Sequence, residues 1–365
     1  MINDFFVFIS VVVAAGIFTA LYNLFSAPVI RALSYAGQNQ CVSVLIPVRN
    51  ETLNIDQCLH SVTGQNYQNI EIIVLDDMSE DDTYSKTFEY SKKDNRIKVI
   101  KGISAPSGWK GKSWACMQLS HNCNGSYLLF IDADVCLSAS AVGSALSEAE
   151  NSNTDLLSVF PEQVMKSFGE KITVQILNWL MISFLPVKKV FSSPNPKFAA
   201  ANGQFMFFKR SAYLKSGGHA LVSDKIVEDI EFSRILKKNY YKVKLMLSKN
   251  IVSCRMYLSL NESINGFTKN YFPGSSMPPV FFILTLLITA FAYLSPLALV
   301  FFNHIYIYLI LIILIQNIIV SYLSTQNIVL NLILFPFQII MMVYIEFRSL
   351  ILLNSGKVYW KNRKL

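Results

Sequence analysis

VSVLIPVRNETLNIDQCLHSVTGQNYQNIEIIVLDDMSEDDTYSKTFEYSKKDNRIKVI, residues 42–100, decides the fold. Three apolar runs, VSVLIPV, IEIIVLD and RIKVI, are separated by polar stretches of helical length around Thr52–Thr63 and Thr83–Lys93. Short continuous apolar runs read as strands buried on both faces. Their alternation with helices predicts an α/β fold with a mainly parallel sheet and helices on both sides. Working outward, a Pro/Gly loop leads to a helix near Lys112–His121. SYLLFID then forms a fourth strand that runs into Asp-Ala-Asp at 132–134.

Ligands of such sheets bind beyond the carboxyl ends of the strands. There the chain is unusually acidic. Pro47 is followed by Arg49, Asn50 and Glu51, the second strand runs into Asp76 and Asp77, and the fourth into Asp132 and Asp134. Carboxylates gathered on one rim repel one another unless a cation or hydrogen-bond donors compensate. The Asp-Ala-Asp string can supply oxygen ligands to Mg²⁺ or Mn²⁺ shared with a diphosphate. Such a short string is common by chance, and its place after an apolar strand is what singles out Asp134. VLDDMSEDDT (74–83) fits two readings together. One is a solvated turn capping the next helix through Asp82 or Thr83, the other a strand-end carboxylate that accepts a hydrogen bond from a uracil ring.

SAPSGWKGKSWA (104–115) is a Gly-rich loop entering a helix, where Lys110, Lys112 and the first helical amides suit a diphosphate. The plain alternative is a surface turn with Trp109 and Trp114 packed as core. VEDIEFSRILKK (227–238) reads as an amphipathic helix with Ile230, Ile235 and Leu236 inward and Arg234, Lys237 and Lys238 outward. Glu228 and Asp229 fall in its first turn. Acids there either complement the helix dipole or form a general-base pair. No GxGxxG, GxxxxGK[ST] or GxSxG string occurs, so a dinucleotide fold, a P-loop and a nucleophile elbow are not supported.

Of the 365 residues 52% are hydrophobic and 15% charged, too apolar for an ordinary soluble chain. The excess sits in residues 5–25 and from 280 onward. FFVFISVVVAAGIFTALYNLF is long enough to cross a bilayer. Asp4 before it, and no small-residue cleavage site after it, argue against a signal peptide. Arg31 beyond it predicts an outside amino terminus and a cytoplasmic catalytic region. The expected division is an anchor over 1–30, a catalytic domain over 40–275 and a membrane portion over 280–365, giving a multi-pass cell-membrane protein.

Three carboxy-terminal runs, Phe281–Phe302, Ile305–Leu323 and Ile328–Ile345, are apolar. If all three cross, the basic tail (Lys357, Lys361, Arg363, Lys364) lies outside, against the charge rule. Pro336, Asn331 and Gln338 make the third a candidate hairpin or interfacial segment. Residues 168–191 read equally as a buried helix or an interfacial one flanked by Lys171, Lys188 and Lys189. The net charge of +8 suits anionic lipid headgroups rather than nucleic acid. Six scattered cysteines read as small core residues of a reducing compartment, and four histidines show no metal-ligand spacing either. Oligomeric state is left open.

PVRNE, VLDDMSEDDT, GWKGK, FIDADV, ANGQFMFFKR, GGH and VED, in this order from Cys41 to about Asn270, resemble the inverting family 2 glycosyltransferases of the GT-A fold. GWKGKSWA, RMYLSLNESINGFTKN and GKVYWKNRKL narrow the resemblance to membrane enzymes acting on lipid acceptors, including diaponeurosporenoate, hopanoid-associated and ceramide-type glycosyltransferases. The resemblance implies a UDP-sugar donor, glucose for preference, a lipid or isoprenoid-type acceptor, and Mg²⁺ or Mn²⁺. It implies that Pro47, Glu51, Asp76 and Asp77 cradle the nucleoside, and that Lys112 sits near the base or diphosphate. Asp132 would approach the ribose or donor sugar, Asp134 hold the metal, and Asp229 act as base beside Glu228. Gln204, His219 and Lys269 are the acceptor-side candidates. The QxxRW string of many membrane relatives is absent. GFTKN (266–270) takes its place, with Lys269 as the cation and Phe267 or Tyr271 as an aromatic wall. That absence counts against a processive polysaccharide synthase, and retention of Asp134 and Asp229 counts against a non-catalytic scaffold.

Overall fold

The computed structural model describes residues 2–33, 39–354, 359–360 and 363–364. Lys357 and Lys361 of the basic tail lie outside these, and of Arg363 and Lys364 only the backbone is described. Contacts divide the chain into an α/β unit, Pro28–Glu162 with Lys188–Arg255, and a helical unit, Met1–Ala27, Gln163–Val187 and Met256–Leu365.

The α/β unit contains strands β1 (Val42–Val48), β2 (Ile70–Asp76), β3 (Ile97–Lys101), β4 (Tyr127–Ile131), β5 (Val135–Leu137), β6 (Leu156–Phe160), β7 (Phe205–Lys209), β8 (Val243–Leu247) and β9 (Val252–Cys254). Seven of them form one sheet in the order β3-β2-β1-β4-β7-β6-β8. All five residues of β4 and of β6 are buried. Burying each Leu, Val or Phe there contributes about 1.5–3 kcal/mol, which is why these runs lie inside the sheet rather than at its edges. Pairings are parallel except around β7, which runs antiparallel to both β4 and β6. The sheet is therefore mixed. An unbroken apolar run such as FMFFK carries no mark of direction, and here the chain between β6 and β7 passes through the helical unit instead of a simple crossover helix.

Register explains why the acidic ends meet. Val48 pairs with Asp76, and Asp76 with Lys101, so β1, β2 and β3 end level with one another. After β4 the chain turns through Asp132–Asp134 into β5, which pairs antiparallel with β9 so that Val135 faces Cys254. Helix Glu228–Lys238 buries Phe232, Ser233, Leu236 and Lys237. Burial of Lys237 corrects the outward placement. Its ammonium donates to the carbonyl oxygens of Val190 and, at 2.7 Å, Ser193, which replace its hydration.

The helical unit holds helices Ile2–Ser26, Phe168–Phe184, Leu260–Ser275, Pro279–Leu299, Tyr306–Leu323 and Ile328–Asn354. Among the described residues, four segments are long and apolar enough to cross a membrane: Asp4–Ser26, Pro279–Leu299, Tyr306–Leu323 and Ile328–Leu352. The third carboxy-terminal run is thus one continuous helix through Pro336, not a hairpin. Its polar residues are paired, Asn331 donating to Ser321 Oγ (3.0 Å) and Gln338 to the Lys171 carbonyl (3.1 Å). Residues 168–184 are a buried helix that starts on a Ser167–Glu170 capping box. Its Trp179 packs edge-on to Tyr293, ring centroids 4.8 Å apart. Gln316, fully buried, donates to Ser183 (2.8 Å) and accepts from the Tyr293 hydroxyl (3.0 Å). Asn23 donates to the carbonyls of Ile182 and Leu185 and accepts the Val187 N–H, closing the end of the 168–184 helix.

Candidate active site

Helix Gly111–His121 packs on β1 and β2 and begins at the GWKGK loop. Its Lys112 ammonium lies 2.8 Å from Asp132 Oδ1 and 3.1 Å from Glu228 Oε1. Burial would depress this ammonium, but the two carboxylates win and hold it well above its ordinary range. One cation therefore joins three separate motifs. Gly203, from ANGQF, lies against Lys112 and the Glu228–Asp229 pair. A Cβ placed there would sit 3.2 Å from Lys112 Nζ, 3.4 Å from Asp229 Oδ2 and 3.5 Å from Glu228 Oε1. The absence of a side chain lets the backbone come close, and its N–H donates to Asp229 Oδ2 at 2.7 Å.

Glu228 and Asp229 titrate in opposite directions. Burial pushes both carboxyls up. At Glu228 the Lys112 ammonium and hydrogen bonds reverse this and the group is held low. At Asp229 the like charge of Glu228 adds to burial, and the group is pushed up to about 6. Neighbouring carboxyls with pKa values driven apart are the arrangement that general acid–base chemistry uses.

Asp134 is pushed up to about 7, first by burial and then by the charges of Asp132 and Glu51. Among the described residues its buried Oδ1 has no hydrogen-bond partner, while its carboxyl is hydrogen-bonded to the Cys254 thiol. An orphaned carboxylate oxygen beside further acids fits a divalent cation. Among the described residues no three His, Cys, Asp or Glu side chains gather to hold a metal. A cation at Asp134 would complete its shell from water or a ligand's oxygens.

At the end of β2, Asp76 and Asp77 are 6% and 4% exposed. Asp76 Oδ2 accepts the Ser79 N–H at 3.3 Å, and its Oδ1 has no partner among the described residues. The buried Arg49 guanidinium donates to the carbonyls of Asp77 (2.6 Å) and Met78 (3.0 Å), tying the two strand-end loops together. Asn50 and Met78 both take positive φ, 51° and 57°, marking tight backbone at this rim. Glu51 accepts from the Asn54 amide at 2.8 Å, and Pro47 is half-buried opposite Leu75. The helix after VLDDMSEDDT is capped by Asp81, not Asp82: Asp81 Oδ1 accepts the Thr83 N–H at 3.0 Å. Trp109 and Trp114 are half-buried and packed edge-on, 5.1 Å apart, rather than in the core.

The three acceptor-side candidates separate. His219 is 2% exposed among Phe130, Tyr213 and Phe232. Its Nδ1 lies 2.7 Å from the Tyr213 hydroxyl, and burial pushes its pKa down to about 3. This neutral ring packs inside an aromatic cluster. Gln204 is 6% exposed and donates to Cys254 Sγ at 2.8 Å. Lys269 belongs to helix Leu260–Ser275 of the helical unit, where Phe267 is core and stacks on Tyr271. Sequence reasoning missed Arg49, Gly203 and Cys254 as parts of the site. Arg49 and Gly203 stood inside quoted motifs, but a lone cysteine carries no signal.

Comparison with known proteins agrees with this geometry. The family model described as glycosyl transferase family 2 matches residues 43–217. A 4,4'-diaponeurosporenoate glycosyltransferase of Staphylococcus haemolyticus is 26% identical over 240 residues, 65% of this chain and 62% of the relative. That of Staphylococcus aureus is 26% identical over 251 residues, 67% of this chain and 64% of the relative. The matched region thus spans less than two thirds of these relatives. A mannosyltransferase from Pyrobaculum calidifontis, solved with GDP-Man and Mn²⁺, aligns over 94% of this chain and 97% of its own at a TM-score of 0.57 and 15% identity. That likeness concerns the fold, a GT-A α/β domain with flanking membrane-capable helices. Over residues 43–217 the chain is thus similar to glycosyl transferase family 2.

Proposed function

We propose that the chain is an inverting glycosyltransferase that moves a hexose from a UDP-sugar to a lipid or isoprenoid-type acceptor at the cytoplasmic membrane face. The observation that carries this reading is the Glu228–Asp229 pair, split in pKa around Lys112 and Gly203. An acceptor hydroxyl ionises far above neutral pH. Asp229, at about 6, is ionised at pH 7 yet basic enough to take its proton. The oxygen attacks the anomeric carbon, the bond from that carbon to the diphosphate oxygen breaks, and UDP leaves with the electron pair. Attack from the face opposite the leaving group inverts the centre. Glu228 stays ionised and holds Lys112, and Lys112 holds Asp132. The position of Asp76 and Asp77, buried at the end of β2, supports a role for them as acceptors of a hydrogen bond from the base. Glucose is the sugar that the sequence resemblance implies, and the Staphylococcus relatives support a lipid-like acceptor.

Asp134 would hold Mg²⁺ or Mn²⁺, which supplies positive charge for the departing diphosphate. Chelation with EDTA, and Asp134→Ala, should abolish transfer. Full turnover by the EDTA-treated enzyme would rule the metal out. The base is tested by Asp229→Asn, expected to cut turnover by about 10²–10⁴-fold while UDP-sugar binding is unchanged. An asparagine variant working at the wild-type rate would reduce Asp229 to a capping acid.

A further inference from the structure

Cys254 ends β9 opposite Val135, one residue beyond Asp134, and is 1% exposed. On one side its thiol is hydrogen-bonded to the Asp134 carboxyl. On the other its sulfur accepts from Gln204 Nε2 at 2.8 Å, and Gln204 is itself 6% exposed. The Gln204 backbone is fixed in turn, its N–H donating to Asn202 Oδ1 at 2.9 Å, while the Asn202 N–H donates to Ser158 Oγ on β6 at 2.8 Å. A hydrogen-bonded line therefore runs from the sheet to the Asp134 carboxyl. Among the described residues, its buried Oδ1 has no hydrogen-bond partner. A core cysteine needs no such polar neighbours, and a buried glutamine amide spent on a sulfur is poorly used if packing were its purpose.

We infer that Gln204 and Cys254 are positioning residues, which orient the Asp134 carboxylate so that Oδ1 alone is presented to a divalent cation. This rests on the metal reading of Asp134 given above. Partners that orient a metal ligand typically change metal affinity by about 10–100-fold when removed. Serine keeps a donor at Cys254. Alanine removes it, and valine removes it while retaining apolar bulk.

The test measures Mn²⁺ binding to the detergent-solubilised full chain in saturating UDP, by the loss of the free-ion electron paramagnetic resonance signal. Cys254→Ala and Cys254→Val should weaken Mn²⁺ binding about 10–100-fold, with UDP binding in the absence of metal unchanged. Cys254→Ser should stay within a few-fold of wild type. Wild-type affinity in both the alanine and valine variants would overturn the inference. So would a serine variant as weak as the valine one, since packing rather than the hydrogen bond would then be the cause. Failure of the wild type to bind Mn²⁺ with UDP would remove the metal reading itself, and this inference with it.

Discussion

Lys112 and Glu228 act on Asp229 with opposite signs, and this can be read kinetically. Glu228 raises the Asp229 pKa and Lys112 lowers it. A general base works only when deprotonated, so activity should fall as pH drops through about 6, the value to which Asp229 is pushed. Glu228→Gln removes a like charge and should move that acid limb to lower pH. Lys112→Met removes an opposite charge and should move it higher. The limb of the pH–rate profile is the readout, whatever either change does to the maximal rate. Limbs that coincide in wild type and both variants would show that Asp229 does not set the profile. Glu228 and Asp229 were legible in VED, but sequence offered capping and catalysis as equal roles for them. The pairing across to Lys112, 116 positions earlier in the chain, shows only in the tertiary structure.

Among the elements, the four strands of the first half were readable because buried parallel strands are continuous apolar runs and their helices are polar on one side. Direction at β7 was not readable, since FMFFK looks the same run either way. The helix Phe168–Phe184 was ambiguous for a related reason: apolar residues line most of it, so no polar face shows where water lies. Its end depends on Asn23. Asn23→Leu would leave the carbonyls of Ile182 and Leu185 and the Val187 N–H without their partner. Each buried group left unpaired costs about 1–3 kcal/mol, so the solubilised chain should unfold at a clearly lower temperature. An unchanged midpoint would show that water reaches these groups.

For the molecule in its membrane, native cysteines are poor reporters of sidedness. Cys58 and Cys254 are 0% and 1% exposed and would escape an impermeant thiol reagent on either side. Introduced cysteines at exposed sites decide it. Tyr240 is 89% exposed on the α/β unit, and Phe302 is 83% exposed between helices Pro279–Leu299 and Tyr306–Leu323. With four crossings and the amino terminus outside, Tyr240→Cys should be protected in intact cells and Phe302→Cys labelled. The half-buried Cys41 and Cys136 would first be replaced. The reverse pattern would put the α/β unit outside, away from cytoplasmic nucleotide-sugars.

Sequence by itself determined what is local: four β-strands and their order, apolar stretches of membrane-spanning length, and the acidic residues that follow each strand. These follow from periodicity and composition within a few turns of chain. Only the tertiary structure decided which of those acids share an environment. Registers β1 to β2 and β5 to β9 bring Asp76, Asp134 and Cys254 to their places, and Lys112 draws together Asp132 and Glu228, which are 96 positions apart in the chain. Burial and charge at that meeting point raise Asp229 and lower Glu228. No spacing in the chain encodes a pKa, because it depends on distance through space and on excluded water, which exist only once the sheet has closed.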